Sequence, residues 1–369
     1  MKPLIRYAGV IFGTIRAEYR QLANRYFGTI ERFDGNAWEI CNQILERLWQ
    51  GDFYRTSLGH FDFFWMRDFG TVCQSLVRLG HEKEVHHTLR WTLLQYRRAN
   101  IISTCIDKAG NCFEAPGRAI DTLPWLLHCL VVSHYPLNKS EHEFLNRQLK
   151  KYCSIFLKED GRLKSMKYAE MRDAVIYDRS AYAVSLVARL ARCTKQLGLN
   201  FPFGVELYQK ELTTTYWNGN YFSADRKTTA FSAECALFPF FLDVIDDADM
   251  ASKTFEYINK HKLNEPYPLI YTNQPHAFTY HWWMTAPFMP NYAGESVWSW
   301  HGEYYLHVLK KYQRPEYNEQ YVRFAAMVER HKTFPEMLNK DGSWYYAPIY
   351  RGDPGMVWVA LFLELPVPA

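Results

Sequence analysis

Apolar residues recur at three-to-four spacing through Val72–Leu79, Val85–Tyr96, Leu123–Val132, Glu141–Phe156, Ala181–Leu197 and Ala236–Ile245, and again through Tyr304–Tyr312, Tyr321–His331 and Met356–Leu365. That spacing gathers them on one face of a helix, so each stretch predicts an α-helix. Pro124, near the start of its run, suits a first helical turn, where its missing N–H costs nothing. Between these stretches a small turn recurs, as Asp107-Lys108-Ala109-Gly110, Glu159-Asp160-Gly161, Trp217-Asn218-Gly219 and Lys340-Asp341-Gly342. Asp-Gly and Asn-Gly tolerate the positive φ of tight turns, so short β-hairpin turns are expected in the loops. The turns stand about 50 to 60 residues apart, the last gap being about double, which divides the chain into about six units of two helices and a loop.

Six helical hairpins closed in a ring make an all-α (α/α)6 barrel. No linker rich in Pro, Gly or Ser splits the sequence, so residues 1–369 read as a single barrel domain, with 1–35 as an N-terminal helical extension. A helical solenoid is the alternative; it calls for more uniform repeats and fewer long aromatic loops.

Composition adds one unusual figure: 17% of residues are aromatic, including 12 Trp and 26 Tyr. Large helical cores consume aromatics, but aromatic faces also stack on the C–H faces of sugar rings, and clusters such as Tyr280-His281-Trp282-Trp283 suit that use. The net charge of +4 is scattered, without the basic stripe of a nucleic-acid binder. The stretch from Tyr7 to Ile15, interrupted by Gly9 and Gly13, is too short to span a membrane and makes a poor signal peptide. Eight dispersed cysteines show no zinc spacing and suit a reducing compartment, so a cytoplasmic protein is expected.

Polar residues interrupt aromatic surroundings in five places. Trp65-Met66-Arg67-Asp68-Phe69 and Ile120-Asp121-Thr122 each put an acid at a helix start, where it could equally be an N-cap. Ile176-Tyr177-Asp178-Arg179 opens another helix, Phe334-Pro335-Glu336 precedes the last turn, and Tyr292 to His301 carries Trp298 and Trp300 beside Gly294. Nucleophile elbows, zinc-binding His motifs, phosphate loops and dinucleotide fingerprints are all missing.

In this order the segments resemble the six-hairpin glycosidases, most closely the alkaline/neutral invertase family, across roughly residues 60 to 360. Trp65 to Phe69 is similar to that family's Arg-Asp-Phe motif. Ala119 to Leu127 is similar to its Val-Asp-Ser-Gly-Leu-Trp-Trp segment, although Thr122-Leu123 replaces Ser-Gly. Asp178-Arg179, Tyr292–Trp300 and Phe334-Pro335-Glu336 match its three remaining segments, with Met337-Leu338 after the Glu. The resemblance implies hydrolysis of a small glycoside, with Asp121 as general acid and Glu336 as general base. It implies an inverting course, no cofactor and no metal. Arg67, Asp68, Asp178, Arg179 and Gln274 are then expected to hold sugar hydroxyls, and Trp65, Trp282, Trp298, Trp300, His301 and Trp344 to form walls. The expected partner is a small carbohydrate, with neither nucleic acid nor membrane. Related six-hairpin enzymes act on trehalose, glucosylglycerate, mannosylglycerate or α-glucan branches. Two rival readings stay open: a sugar epimerase using two of His276, His281 and His301, and a carbohydrate-binding barrel without catalysis.

Overall fold

The computed structural model of the protein describes residues 19–115 and 117–368. Of the expected N-terminal extension, residues 1–18 lie outside the described residues, and 19–27 form a helix, α1. The barrel follows as six pairs. Its outer helices are α2 (Ala37–Leu48), α4 (Glu82–Ala99), α6 (Lys139–Phe156), α8 (Val205–Glu211), α10 (Ala248–Lys260) and α12 (Glu316–His331). Its inner helices are α3 (Met66–Arg78), α5 (Thr122–Val132), α7 (Ala181–Gln196), α9 (Ala233–Phe241), α11 (Ser299–Lys311) and α13 (Val359–Glu364). Neighbouring inner helices pack from α3 round to α11, and α13 closes the ring against α3. Between α11 and α13 the closure is polar: His307 Nε2 lies 2.9 Å from the Leu361 carbonyl, and the Phe362 N–H donates to Glu303 at 3.1 Å. The fold is therefore the all-α (α/α)6 barrel.

Burial sorts the two rings. In α5, Thr122 to Leu130 is buried without interruption, as a helix walled in on every side must be. Outer helices bury a single stripe, as α4 does with Val85, Leu89, Leu93 and Tyr96. Capping boxes start α2 at Asn36 and α6 at Asn138, each paired with a Glu three residues on. Inner helices approach closely where α3 meets α5: a Cβ on Gly70 would lie 2.6 Å from Cβ of Trp125, so Gly70→Ala overpacks this contact.

The recurring turn is the hinge from an outer helix to the next inner one. Gly110, Gly161, Gly219 and Gly342 all have φ between 80° and 98°. The turns close antiparallel pairs: β2 (Cys105–Ile106) with β3 (Cys112–Phe113), and single bridges Leu157–Leu163, Trp217–Phe222 and Leu338–Trp344. A fifth turn, around Gly51, joins Trp49 to Tyr54 after α2. Two further strand pairs matter for the site. β1 (Phe64–Trp65) runs into α3 and pairs with β2, and β4 (Val297–Trp298) runs into α11 and pairs with β5 (Met337–Leu338). They fix Trp65 at the start of α3 and bring Glu336 alongside Trp298.

Candidate active site

The N-termini of α3, α11 and α13 converge on a narrow cavity of about 40 Å³, walled by Trp65, Trp298, Trp300 and Trp358. Trp300 stacks on Trp358 at 4.4 Å between ring centroids and on Trp298 at 5.8 Å. The indole N–H groups of Trp65 and Trp300 are buried without a hydrogen-bond partner. A buried donor left unpaired is costly, so these two are suited to a ligand's oxygen atoms.

Three carboxyl groups face this cavity: Asp68, Asp173 and Glu336. Asp68 lies in the first turn of α3 and makes no cap bond; its Oδ1 accepts from Trp358 Nε1 at 2.9 Å. Burial pushes its carboxyl up to about 6, against the pull of Arg67. Asp173 sits in the turn at 171–174 that precedes α7, with 21% of its side chain exposed. Burial raises it to about 7; Arg67, whose Nη1 is 3.3 Å away, opposes the rise, and Asp121 adds to it. Glu336 is buried, and its fixed partners are donors: the Tyr350 hydroxyl at 2.7 Å from both oxygens and the Asp353 N–H at 2.8 Å. Burial pushes Glu336 up, the neighbouring Asp353 carboxylate adds to this, and those hydrogen bonds oppose it.

The expected residues divide three ways. Arg67, Asp68, Trp65, Trp298, Trp300 and Glu336 line the cavity. Asp121 does not. It is fully buried at the N-cap position of α5, without a cap bond, and its oxygens receive Arg67 Nε at 2.6 Å and the Tyr182 hydroxyl at 3.0 Å. Asp121 thus anchors the guanidinium that reaches Asp173, and Asp173 stands at the cavity wall instead. His301 is buried and edge-on to Tyr271 at 4.2 Å, outside the lining.

The remaining expected residues are elsewhere. Asp178 and Arg179 pair with each other at 2.8 Å, away from the cavity. Gln274 is exposed and accepts from the Phe231 N–H, Trp282 is 73% exposed, and Trp344 donates to the Gly352 carbonyl. Among the described residues no histidine lines the narrow cavity, and no cluster of three His, Cys, Asp or Glu could hold a metal ion.

Sequence reasoning passed over Asp173, Tyr292 as an individual wall residue, and Trp358. A signal for Asp173 existed: Glu170-Met171-Arg172-Asp173 packs three charges into an apolar stretch just before Ile176–Arg179. The structure explains the spacing. Arg172 is buried and donates to the Ala293 carbonyl at 3.1 Å through Nε, while its guanidinium stacks on Phe278 at 4.1 Å. The turn carrying Asp173 is thereby tied to the loop carrying Tyr292.

Asp173 also lines a second, wider basin of about 250 Å³, bordered by Arg118, Lys167, Arg172, His281 and Trp283. Burial and nearby Lys167 lower the His281 imidazole, so it is neutral near pH 7. The basin's exposed cations are Arg118 and Lys167; Glu170 also lines it, and the Arg172 guanidinium is buried and held by the Ala293 carbonyl and the Tyr177, Ser232 and Tyr280 hydroxyls.

No family model and no curated protein matches this sequence. Solved structures do. A wild-type glycosidase is similar at TM-score 0.61 and 10% identity, over 89% of this chain and 95% of that one. The GH63 mannosylglycerate hydrolase of Thermus thermophilus, in complex with Tris, is similar at TM-score 0.55 and 12% identity, over 89% and 99%. The same hydrolase with Tris and D-glycerate gives 0.54 and 11%, over 89% and 99%. At such identities the likeness establishes the shared fold: this chain has the helical barrel of these glycosidases.

Proposed function

We propose that this chain is a glycoside hydrolase, with Asp173 as proton donor and Glu336 as general base, acting on a small glycoside whose leaving group carries a carboxylate. The observation that carries the reading is the pair of carboxyls on an aromatic cavity, one of which, Asp173, titrates near 7. A general acid works best when its pKa lies near the working pH. Burial and the Asp353 carboxylate raise the proton affinity of Glu336, which suits a group that must take a proton from water, while the Tyr350 hydroxyl and the Asp353 N–H favour its anionic form against that rise.

The step balances simply. Asp173 gives its proton to the glycosidic oxygen as the C–O bond breaks, and the sugar passes through an oxocarbenium-like state. Water gives a proton to Glu336 and its hydroxyl to the anomeric carbon. Asp68, the Trp65 and Trp300 N–H groups and the aromatic faces hold the sugar ring. We take the course to be inverting, which calls for about 6.5–9.5 Å between the carboxyls to admit the water.

The leaving group would extend into the basin that shares Asp173, where the exposed Arg118 and Lys167 favour a carboxylate. The D-glycerate bound to the structurally similar hydrolase points the same way. The closer likeness to alkaline/neutral invertases rests on the order of Arg67-Asp68, the Trp298–Trp300 loop and Glu336. Eight cysteines dispersed along the chain fit a cytoplasmic setting. An epimerase with paired histidines is disfavoured by a lining that contains none.

The test is a wild-type screen for reducing-sugar release from sucrose, trehalose, glucosylglycerate, mannosylglycerate and short malto-oligosaccharides. Turnover is expected for an acid-bearing glycoside and should vanish in Glu336→Gln. Sugar binding without turnover of any of the five would replace this reading with the carbohydrate-binding barrel.

A further inference from the structure

Glu336 is seated on one neighbour by two main-chain bonds: its own N–H donates to the Asp353 carbonyl at 2.8 Å, and the Asp353 N–H donates to its Oε2 at 2.8 Å. Asp353 does not line the cavity, and its carboxylate is fully buried. A buried anion must be compensated, and here the compensation is extensive. The main-chain N–H groups of His60 and Phe61 donate to it at 2.9 and 3.1 Å, and the Ser57 hydroxyl donates as well. His60 Nδ1 lies 2.8 Å from Oδ1 and 2.9 Å from Asn24 Nδ2. Asn24 Nδ2, 3.0 Å from the same oxygen, completes the set.

Asn24 belongs to α1, outside the barrel. Arg351 binds α1 from the barrel side, donating to Asn24 Oδ1 at 2.6 Å and to the Gly28 carbonyl at 2.7 Å. Arg20 pairs with Asp62, and the Tyr26 hydroxyl reaches the Pro348 carbonyl at 2.8 Å. The helix thus bridges the Ser57–Asp62 loop and the 345–354 segment, the two segments that enclose Asp353.

We propose that Asp353 is a positioning residue for the general base, and that α1 completes its seat through Asn24. The proposal rests on the reading of Glu336 as base. Its geometry holds Oε2 in place, and its negative charge makes Glu336 a stronger acceptor for the water proton. The groups facing Glu336 are Asp353 and Tyr350 from the 345–354 segment, Asp68 from α3, and Tyr292 and Tyr345. Asp353 itself is an anion: burial raises its carboxyl, but His60 and Ser57 outweigh that and hold it below the ordinary range. Removing this charge lowers the proton affinity of Glu336, because a neighbouring negative charge is lost.

The experiment uses the full chain and α-D-glucosyl fluoride, whose leaving group departs with little help from an acid, so that water activation dominates. Fluoride release is followed from pH 4 to 9 for Asp353→Asn and Asn24→Ala, with circular dichroism as the folding control. Positioning residues of this kind are worth about 10- to 100-fold. Asp353→Asn is expected to lose that much in kcat, with KM within about twofold, and to move the acidic limb of its pH profile downward. Asn24→Ala is expected to lose less kcat than Asp353→Asn, at unchanged KM. A folded Asp353→Asn with wild-type kcat and acidic limb overturns the proposal. Should Asp353→Asn fail to fold, Asn24→Ala decides: reduced kcat at constant KM supports the proposal, and wild-type kcat overturns it. Glu336→Gln separates the two levels, since an active Glu336→Gln refutes the base assignment itself.

Discussion

Asp173→Asn keeps the size and shape of the side chain and removes the proton it is proposed to donate. General acid catalysis is worth about 10²- to 10⁴-fold, which is about 2.7 to 5.4 kcal/mol of barrier. With its carboxyl raised to about 7, Asp173 is about half protonated at pH 7 and about one-hundredth protonated at pH 9. Wild-type kcat/KM should therefore fall about tenfold per pH unit above 7. In Asp173→Asn that basic limb should vanish and the remaining rate should be flat. The loss should also depend on the leaving group: large for an O-glycoside, and under about tenfold for α-D-glucosyl fluoride. The assay is steady-state hydrolysis of both substrates from pH 5 to 9. If Asp173→Asn stays within tenfold of wild type on the O-glycoside, or keeps the basic limb, Asp173 is not the acid.

Asp121→Asn gives a contrasting pattern, because its carboxylate touches Arg67 and Tyr182 rather than the cavity. It leaves a buried guanidinium without its full counter-charge, at a cost of up to about 3–5 kcal/mol, so Tm should fall and, at pH 5 where Asp173 stays protonated, both substrates should slow alike. Loss of this negative neighbour also lowers Asp173, moving the basic limb to lower pH; an unchanged Tm with selective loss on the O-glycoside would instead restore Asp121 as the acid. The double variant Arg118→Ala/Lys167→Ala should raise KM about 10-fold or more for a carboxylate-bearing glycoside and leave α-D-glucosyl fluoride unaffected. Equal KM changes on both substrates would remove the basin from the leaving-group path.

The barrel could be read from the sequence because its two signals are local. The turn glycines at 110, 161, 219 and 342 take positive φ, and the apolar runs of the inner helices recur at helical spacing, filling every face in α5. Helices α8 and α10 are less legible because their apolar patterns are short or diluted. The stripe of α10 is Ala251, Thr254, Phe255 and Ile258, in which a small residue and a hydroxyl dilute the apolar pattern. α8 is only seven residues long, and its buried residues are Tyr208 and Glu211. In α2 the stripe is Ile40, Cys41, Ile44, Leu45 and Leu48, a helical pattern legible in the sequence.

The site was less legible because an acid's role depends on which carboxyls keep a face towards the cavity. Asp121 and Asp173 both bind Arg67, both precede inner helices, and both have aromatic surroundings. What separates them is access: Asp121 has none, whereas 21% of the Asp173 side chain is open. The turn that carries Asp173 is held to the Tyr292 loop by Arg172 reaching the Ala293 carbonyl, a contact spanning 121 positions of the chain. No local spacing encodes it. A buried carboxyl behind an arginine and an accessible one before it look alike in one dimension, yet only the accessible one can exchange a proton with a substrate.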